Sequence, residues 1–262
     1  MALKLLVVGG GRMGEALVVG LVRSGWAAAD VGVVEKLDSR RNDLAKLLPG
    51  VTVVDEVVAA SGAIVAVKPN DVSAACRALA GVGVDRVLSI AAGVTVDALE
   101  ADLGPSVRVV RAMPNTPAQI GAGASAIAPG SSATDDDLAW AEEILGAVGT
   151  VVRVPEHLLD AVTGLSGSGP AYVFLVAEAL IEAGVLNGLP RDVASVLARQ
   201  TLLGAARLLV ESGEAPETLR AAVTSPGGTT AAGLQALEDR AVRAAFLDAV
   251  TAATNRFRSS SS

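Results

Sequence analysis

Along the first 155 residues the apolar positions follow two alternating rhythms. Short runs rich in Val, Ile and Leu, bounded by Gly, Pro or polar residues, predict strands at Lys4–Gly9, Val31–Glu35, Val51–Val54, Ala63–Val67, Arg86–Ile90 and Val107–Ala112. Between them, helical spacing marks Met13–Ser24, Ser39–Leu47, Asp71–Leu79 and Thr95–Leu103. Strand and helix in strict alternation predict an α/β fold, a doubly wound parallel sheet covered on both faces. A further strand pair, Ala124–Ala128 and Val151–Val154, brackets a helix at Asp135–Ala147. The three aspartates in its first turn suit the positive end of the helix dipole.

The rhythm changes after Pro155. No strand pattern follows, and His157–Gly164, Ala171–Leu186, Arg191–Ser212, Pro216–Val223, Thr229–Leu237 and Arg240–Phe257 read as helices punctuated by Gly and Pro. The chain therefore divides into an α/β domain, 1–155, and an all-helical domain, 156–262. Val173, Phe174, Leu175, Val176 and Leu180 lie on nearly all sides of one helix. Such a helix must be buried, and a small domain has little interior of its own, so the pattern predicts an intertwined dimer.

Composition narrows the function classes. The chain has 262 residues, 51% hydrophobic and 19% charged, with a net charge of −7, which excludes disorder. Mean hydropathy is positive, yet the longest apolar stretches are interrupted: Val173–Leu186 by Glu178 and Glu182, Val84–Leu99 by Asp85, Arg86 and Asp97. This argues against a membrane span. A pI near 4.8 and the lack of a basic, aromatic-interleaved stripe argue against nucleic acid. Cys76 is the one cysteine and His157 the one histidine, which leaves no metal cluster and fits a reducing cytoplasm. The N-terminal apolar stretch is short and runs into glycines, as a strand does and a signal peptide does not. With so few acids, bases and nucleophiles, the reactive chemistry is expected from a cofactor.

The glycine motif points to which one. Gly9-Gly10-Gly11-Arg12-Met13-Gly14 follows a predicted strand, opens a predicted helix and fits G-x-G-x-x-G at Gly9, Gly11 and Gly14. The first glycine permits a tight turn, the second a close backbone approach to a pyrophosphate, and the third close helix–strand packing. Glu35 lies 21 residues beyond Gly14, at the end of the second strand. An acid there accepts from the ribose hydroxyls of NAD, whereas the neighbouring Lys36, Arg40 and Arg41 suit a 2′-phosphate. Both cofactors stay open on these residues. Lys68-Pro69, Ala91-Ala92-Gly93 and Met113-Pro114-Asn115-Thr116-Pro117 end three further strands, at the edge where open α/β sheets bind ligands.

Two glycine-rich segments mark the helical half. Leu165-Ser166-Gly167-Ser168-Gly169-Pro170 interrupts a helical pattern, and Thr224-Ser225-Pro226-Gly227-Gly228-Thr229-Thr230 opens a helix. Spacing alone favours Thr229 or Thr230 as a helix N-cap; the functional alternative is a substrate-carboxylate site.

In order, these segments resemble pyrroline-5-carboxylate reductase over essentially the full length. The resemblance rests on GGGRMGEAL, AVKP at Ala66–Pro69, RAMPNTPA at Arg111–Ala118, DAVTGLSGSGPAYVF at Asp160–Phe174 and TSPGGTTAAGL at Thr224–Leu234. It implies a Rossmann-type domain followed by a helical dimerisation domain, and reduction of 1-pyrroline-5-carboxylate to L-proline by NADPH or NADH. It also implies a homodimer that assembles further, as into a decamer. By the same resemblance Thr230 donates to the ring nitrogen, with Ser225, Gly228 and Thr229 around the substrate carboxylate. Gly9, Gly11, Arg12, Met13, Gly14, Glu35, Lys36, Arg40, Lys68, Pro69 and Ala91 line the cofactor, with Met113, Pro114 and Asn115 toward its nicotinamide. A dehydrogenase of the β-hydroxyacid type would need a lysine in the second domain, and the four lysines here all precede residue 69. A non-enzymatic NAD-sensing module would have no use for the SPGGTT segment.

Overall fold

A computed structural model of the chain describes residues 3–261. Eight strands form one sheet: β1 Leu3–Val8, β2 Val31–Val34, β3 Thr52–Val54, β4 Ala60–Val65, β5 Arg86–Ser89, β6 Arg108–Met113, β7 Gly123–Pro129 and β8 Gly149–Arg153. Their order is β3-β2-β1-β4-β5-β6-β7-β8. Every neighbouring pair is parallel except β6 with β7. Helices α1 (Arg12–Arg23), α2 (Asp38–Leu47), α3 (Pro69–Val82), α4 (Val96–Leu103) and α5 (Asp135–Gly146) connect them.

Side-chain alternation along the strands builds two cores. Leu5 and Val7 pack with Leu17, Val18, Leu21, Leu44 and Ile144, whereas Leu6 and Val8 pack with Val72, Cys76, Leu79 and Leu99. Helices α1, α2 and α5 thus cover one face and α3 and α4 the other, the doubly wound arrangement. Truncating a fully buried side chain such as Leu6 costs about 2–5 kcal/mol. Cys76 is a core thiol. Burial, and then the Asp102 charge, push it up to about 11 against a smaller opposing effect of Arg77, so it holds almost no thiolate at neutral pH.

Asp137 locks α5 to the sheet from a buried position. Arg108 Nε donates to both of its carboxylate oxygens at 3.0 Å. The backbone N–H and hydroxyl of Thr134 donate to Asp137 Oδ2 at 2.9 and 2.7 Å, completing a capping box. Burial alone raises the carboxyl pKa, but the bonds from Thr134 and Arg108 outweigh it and hold Asp137 below the usual aspartate range. The charged form is therefore favoured in the fold, and its stabilisation is present at neutral pH and lost as pH falls through the folded pKa. Asp137→Asn is expected to lower stability by about 2 kcal/mol at pH 7. Urea midpoints should converge with wild type only as pH falls below the depressed folded pKa of Asp137, where both states bind the proton.

The remaining chain is helical. A 3₁₀ turn at Glu156–Leu158, α6 (Leu159–Val162) and a π-helical turn at Thr163–Gly167 lead into α7 (Gly169–Leu186). Then come α8 (Arg191–Ser212), α9 (Pro216–Ala222), α10 (Thr229–Asp239) and α11 (Val242–Ser261). The Leu165–Pro170 segment therefore does not break the helical run as its glycines suggest. The Ser168 N–H bonds back five residues to the Thr163 carbonyl at 2.8 Å, so the run widens into a π turn and continues. The chain forms two compact units: residues 1–168 with 251–262, and residues 169–250.

In the second unit α7 and α8 pack together, yet α7 has no buried residue, and Phe174 and Leu175 are 62% and 65% exposed. Val196, Leu197, Leu203 and Val210 are exposed as well. By length and composition, the runs Glu156–Leu186 and Arg191–Ser212 are apolar enough to cross a membrane, so the interrupting charges do not exclude a span on that criterion.

Candidate functional site

The sheet topology brings the first set of candidate residues to one edge. Strands β1, β2, β4, β5 and β6 run parallel, so the segments leaving their carboxyl ends share that edge. These segments carry Gly9–Gly14, Glu35 and Lys36, Lys68 and Pro69, Ala91, and Met113–Asn115. Strand order reverses between β1 and β4, so the glycine turn leaves β1 at the switch point where such sheets take nucleotides.

Backbone geometry requires glycine in that turn. Gly9 has φ +114°, and a Cβ there would lie 2.6 Å from the Ala66 carbonyl oxygen. A Cβ on Gly14 would lie 2.1 Å from the Gly9 carbonyl oxygen. Gly11 differs: it is the N-cap of α1, makes no side-chain cap bond, and has no atom within 4 Å of where its Cβ would stand. The first amides of α1 therefore face open space with the positive end of the helix dipole behind them, which fits a pyrophosphate.

The acidic and basic residues beside the turn are already engaged. Glu35 accepts from the Gly10 N–H at 3.2 Å and from the Leu37 N–H at 3.0 Å. Arg40 Nε donates to the Gly10 carbonyl at 2.7 Å, and its guanidinium pairs with Glu15. Arg41 donates to the carbonyls of Glu35 and Lys36, both at 2.8 Å, and pairs with Asp38. Glu35, Arg40 and Arg41 thus buttress the turn. Arg12, Lys36 and Lys68 are exposed, and Lys36 has no carboxylate partner among the described residues. Met13 is half-buried; Lys68 is the N-cap of α3 and Pro69 its first residue.

At the far strands the candidates are more enclosed. Ala91 and Pro114 are buried and Met113 is half-buried. Asn115 is buried, and both ends of its amide are taken: Nδ2 donates to the Ser166 carbonyl at 3.0 Å, and Oδ1 accepts from the Ala124 N–H at 2.8 Å. The π turn is thereby fastened to the end of β6, and a Cβ on Gly167 would lie 3.2 Å from Met113 Cε. Ser166 and Gly167 therefore belong beside Met113 and Asn115, a placement that only the motif itself could have signalled.

The second set of candidates lies in the second unit, on the turn that opens α10. Gly228 is the N-cap and makes no side-chain cap bond, so neither Thr229 nor Thr230 caps the helix as spacing favours. The Gly228 N–H closes the turn onto the Ser225 carbonyl at 3.1 Å and is not free for a ligand. Gly227 has φ +70°, and a Cβ on Gly228 would lie 2.4 Å from Ser225 Oγ. Thr229 is exposed and Thr230 half-buried. Among the described residues no hydrogen bond ties either hydroxyl, and their backbone N–H groups, first and second in the helix, have no acceptor. Chemically, this is a compact array of unpaired donors suited to a small anion.

Two family descriptions match the chain. Pyrroline-5-carboxylate reductase dimerisation covers residues 156–260, and NADP oxidoreductase, coenzyme F420-dependent, covers residues 4–93. The pyrroline-5-carboxylate reductase of Synechocystis sp. is 45% identical over 262 residues, covering 98% of this chain and 97% of that protein. The chain belongs to the pyrroline-5-carboxylate reductase family. A solved pyrroline-5-carboxylate reductase from Coxiella burnetii, 36% identical, covers 100% of both chains with a TM-score of 0.94. The Plasmodium falciparum enzyme, solved with NADP bound, is 27% identical, covers 99% of this chain and 98% of its own, and has a TM-score of 0.84. The exposed apolar helices thus fall within the family's dimerisation region. The resemblance seen in the sequence holds across both halves of the reductase.

Proposed function

We propose that this chain reduces 1-pyrroline-5-carboxylate to L-proline, the last step of proline biosynthesis, with NADPH as hydride donor and NADH as a slower substitute. Beyond family membership, the observation that carries this reading is the unpaired donor array of Thr229 and Thr230. A cyclic imine is basic enough to be protonated in part near neutrality, and its iminium carbon accepts hydride readily. The protein then has to bind the carboxylate, orient the ring and supply one donor at nitrogen. Ser225 and the N–H groups of Thr229 and Thr230 serve the carboxylate, and the Thr230 hydroxyl serves the nitrogen. The Gly228 N–H, spent on the turn, shapes this array and takes no part in it.

The bound dinucleotide supplies the hydride. Gly9, Gly11, Arg12, Met13 and Gly14 hold its pyrophosphate, and Lys68, Pro69, Ala91, Met113, Pro114 and Asn115 line its course toward the nicotinamide. Residues 1–155 form the dinucleotide-binding domain and 156–262 the dimerisation and substrate domain. The enzyme works in the cytoplasm as a homodimer assembled further, as into a decamer, without nucleic acid or membrane.

Preference between the cofactors turns on Lys36. Glu35 is held by two backbone amides and Arg40 by Glu15, which leaves Lys36 as the residue to meet a 2′-phosphate. Wild type is expected to show kcat/KM higher for NADPH than for NADH. Lys36→Ala should lower that ratio about tenfold, the worth of one charge-assisted contact. A ratio below one in wild type, unchanged in Lys36→Ala and Arg40→Ala, would reduce the basic cluster to a solvated helix start.

A further inference from the structure

The mechanism leaves unused an ion pair between a buried arginine and a half-buried glutamate. Arg111, near the end of β6, is 7% exposed at its side chain and donates NH1 to Glu156 Oε1 at 2.7 Å. The same oxygen accepts from the Val96 N–H, the first amide of α4, also at 2.7 Å. Thr95 already caps that helix through the Ala98 N–H at 3.3 Å. Glu156 therefore adds a second cap from 60 residues away in sequence, with its negative charge at the positive end of the helix dipole.

The two partners of Glu156 adjoin the two enclosed cofactor segments. Ala91–Thr95 is the loop running from β5 into α4, so fixing the Val96 amide fixes the loop's outgoing end. Arg111–Asn115 is the end of β6 and the turn after it, and Asn115 ties its other end to Ser166. Glu156 itself leaves a stretch of backbone tied to the sheet. It follows Pro155, and the preceding Val154 N–H bonds to the Ile127 carbonyl at 2.9 Å. One carboxylate oxygen thus holds both segments in a common frame.

We propose that Glu156, acting through Arg111 and the Val96 amide, is a positioning residue that sets the loops beside the nicotinamide. This rests on the reading of Ala91 and Met113–Asn115 as cofactor residues. Loosening the frame displaces the bound ring, and a displacement of about 1 Å costs up to about 10²-fold in rate. The full-length enzyme is compared with Glu156→Ala and Glu156→Gln by NADPH fluorescence titration, steady-state kinetics and thermal melting. Glu156→Ala is expected to raise the Kd for NADPH and lower kcat, each about tenfold, with the KM for pyrroline-5-carboxylate within about twofold. Glu156→Gln keeps an acceptor oxygen and should fall between, with Kd raised about threefold. A folded Glu156→Ala with wild-type Kd and kcat would overturn the proposal, whatever its melting temperature. Should Glu156→Ala fail to fold, wild-type constants in Glu156→Gln would overturn it equally. Hydrogen exchange on wild type tests the underlying reading separately, because NADPH should protect residues 91–96 and 111–115. Absent protection sinks that reading and the proposal with it; protection with an inert Glu156→Ala sinks the proposal alone.

Discussion

Thr230→Val should lower kcat on the order of 10²-fold and leave the melting temperature unchanged. Valine keeps the shape and branching of threonine but removes the hydroxyl. Losing one positioned donor to the reacting group typically costs about that factor. A cap role would instead cost about 1 kcal/mol of stability with little change in kcat. The structure separates the two in advance, since Gly228 occupies the N-cap and the Thr230 hydroxyl has no partner among the described residues. Kinetics and a melt on one Thr230→Val sample decide the matter. Near-normal kcat with a lowered melting temperature would withdraw Thr230 from the chemistry.

The second large effect concerns assembly. Leu175→Asp or Leu203→Asp should break the dimer and destabilise the helical half. These positions are 65% and 53% exposed in the single chain, within a region that matches the family's dimerisation description. An obligate interface exceeds roughly 2,000 Å² and resembles a core cut in half. A carboxylate placed in it loses the burial energy of a leucine, about 2 kcal/mol per subunit, and adds a charge that must be desolvated. Sedimentation at micromolar concentration should give dimers or their multiples for wild type and unfolded or monomeric material for the variants. A folded wild-type monomer, or wild type held on lipid vesicles, would contradict the interface.

All eight strands were legible because each is short, apolar and bounded by turn residues, in the buried β1 and β4 as in the half-exposed edge strands β3 and β8. The glycine turn was legible because Gly9 and Gly14 answer to backbone contacts that only glycine permits. Three features were not legible. The antiparallel pairing of β7 with β6 leaves no mark in hydropathy. The π turn at Thr163–Gly167 uses glycines that otherwise signal a break. The engagements of Arg40 with Glu15, of Asn115 with Ser166 and of Arg111 with Glu156 join residues 25, 51 and 45 positions apart. Side-chain pairing at such separations depends on the assembled sheet, so the residue type of Arg40 suggested a phosphate ligand where the fold has made a strut.

In the proposed reaction hydride passes directly from the dinucleotide to the imine carbon of a pyrroline carboxylate. The most direct measurement follows deuterium from NADPH labelled at the transferring position of nicotinamide C4 into the product. L-proline is expected to carry one deuterium on the ring carbon next to nitrogen and remote from the carboxylate, formed in step with NADPH oxidation. Unlabelled proline, or no turnover of pyrroline-5-carboxylate alongside reduction of a keto acid to a deuterated hydroxyacid, would contradict it.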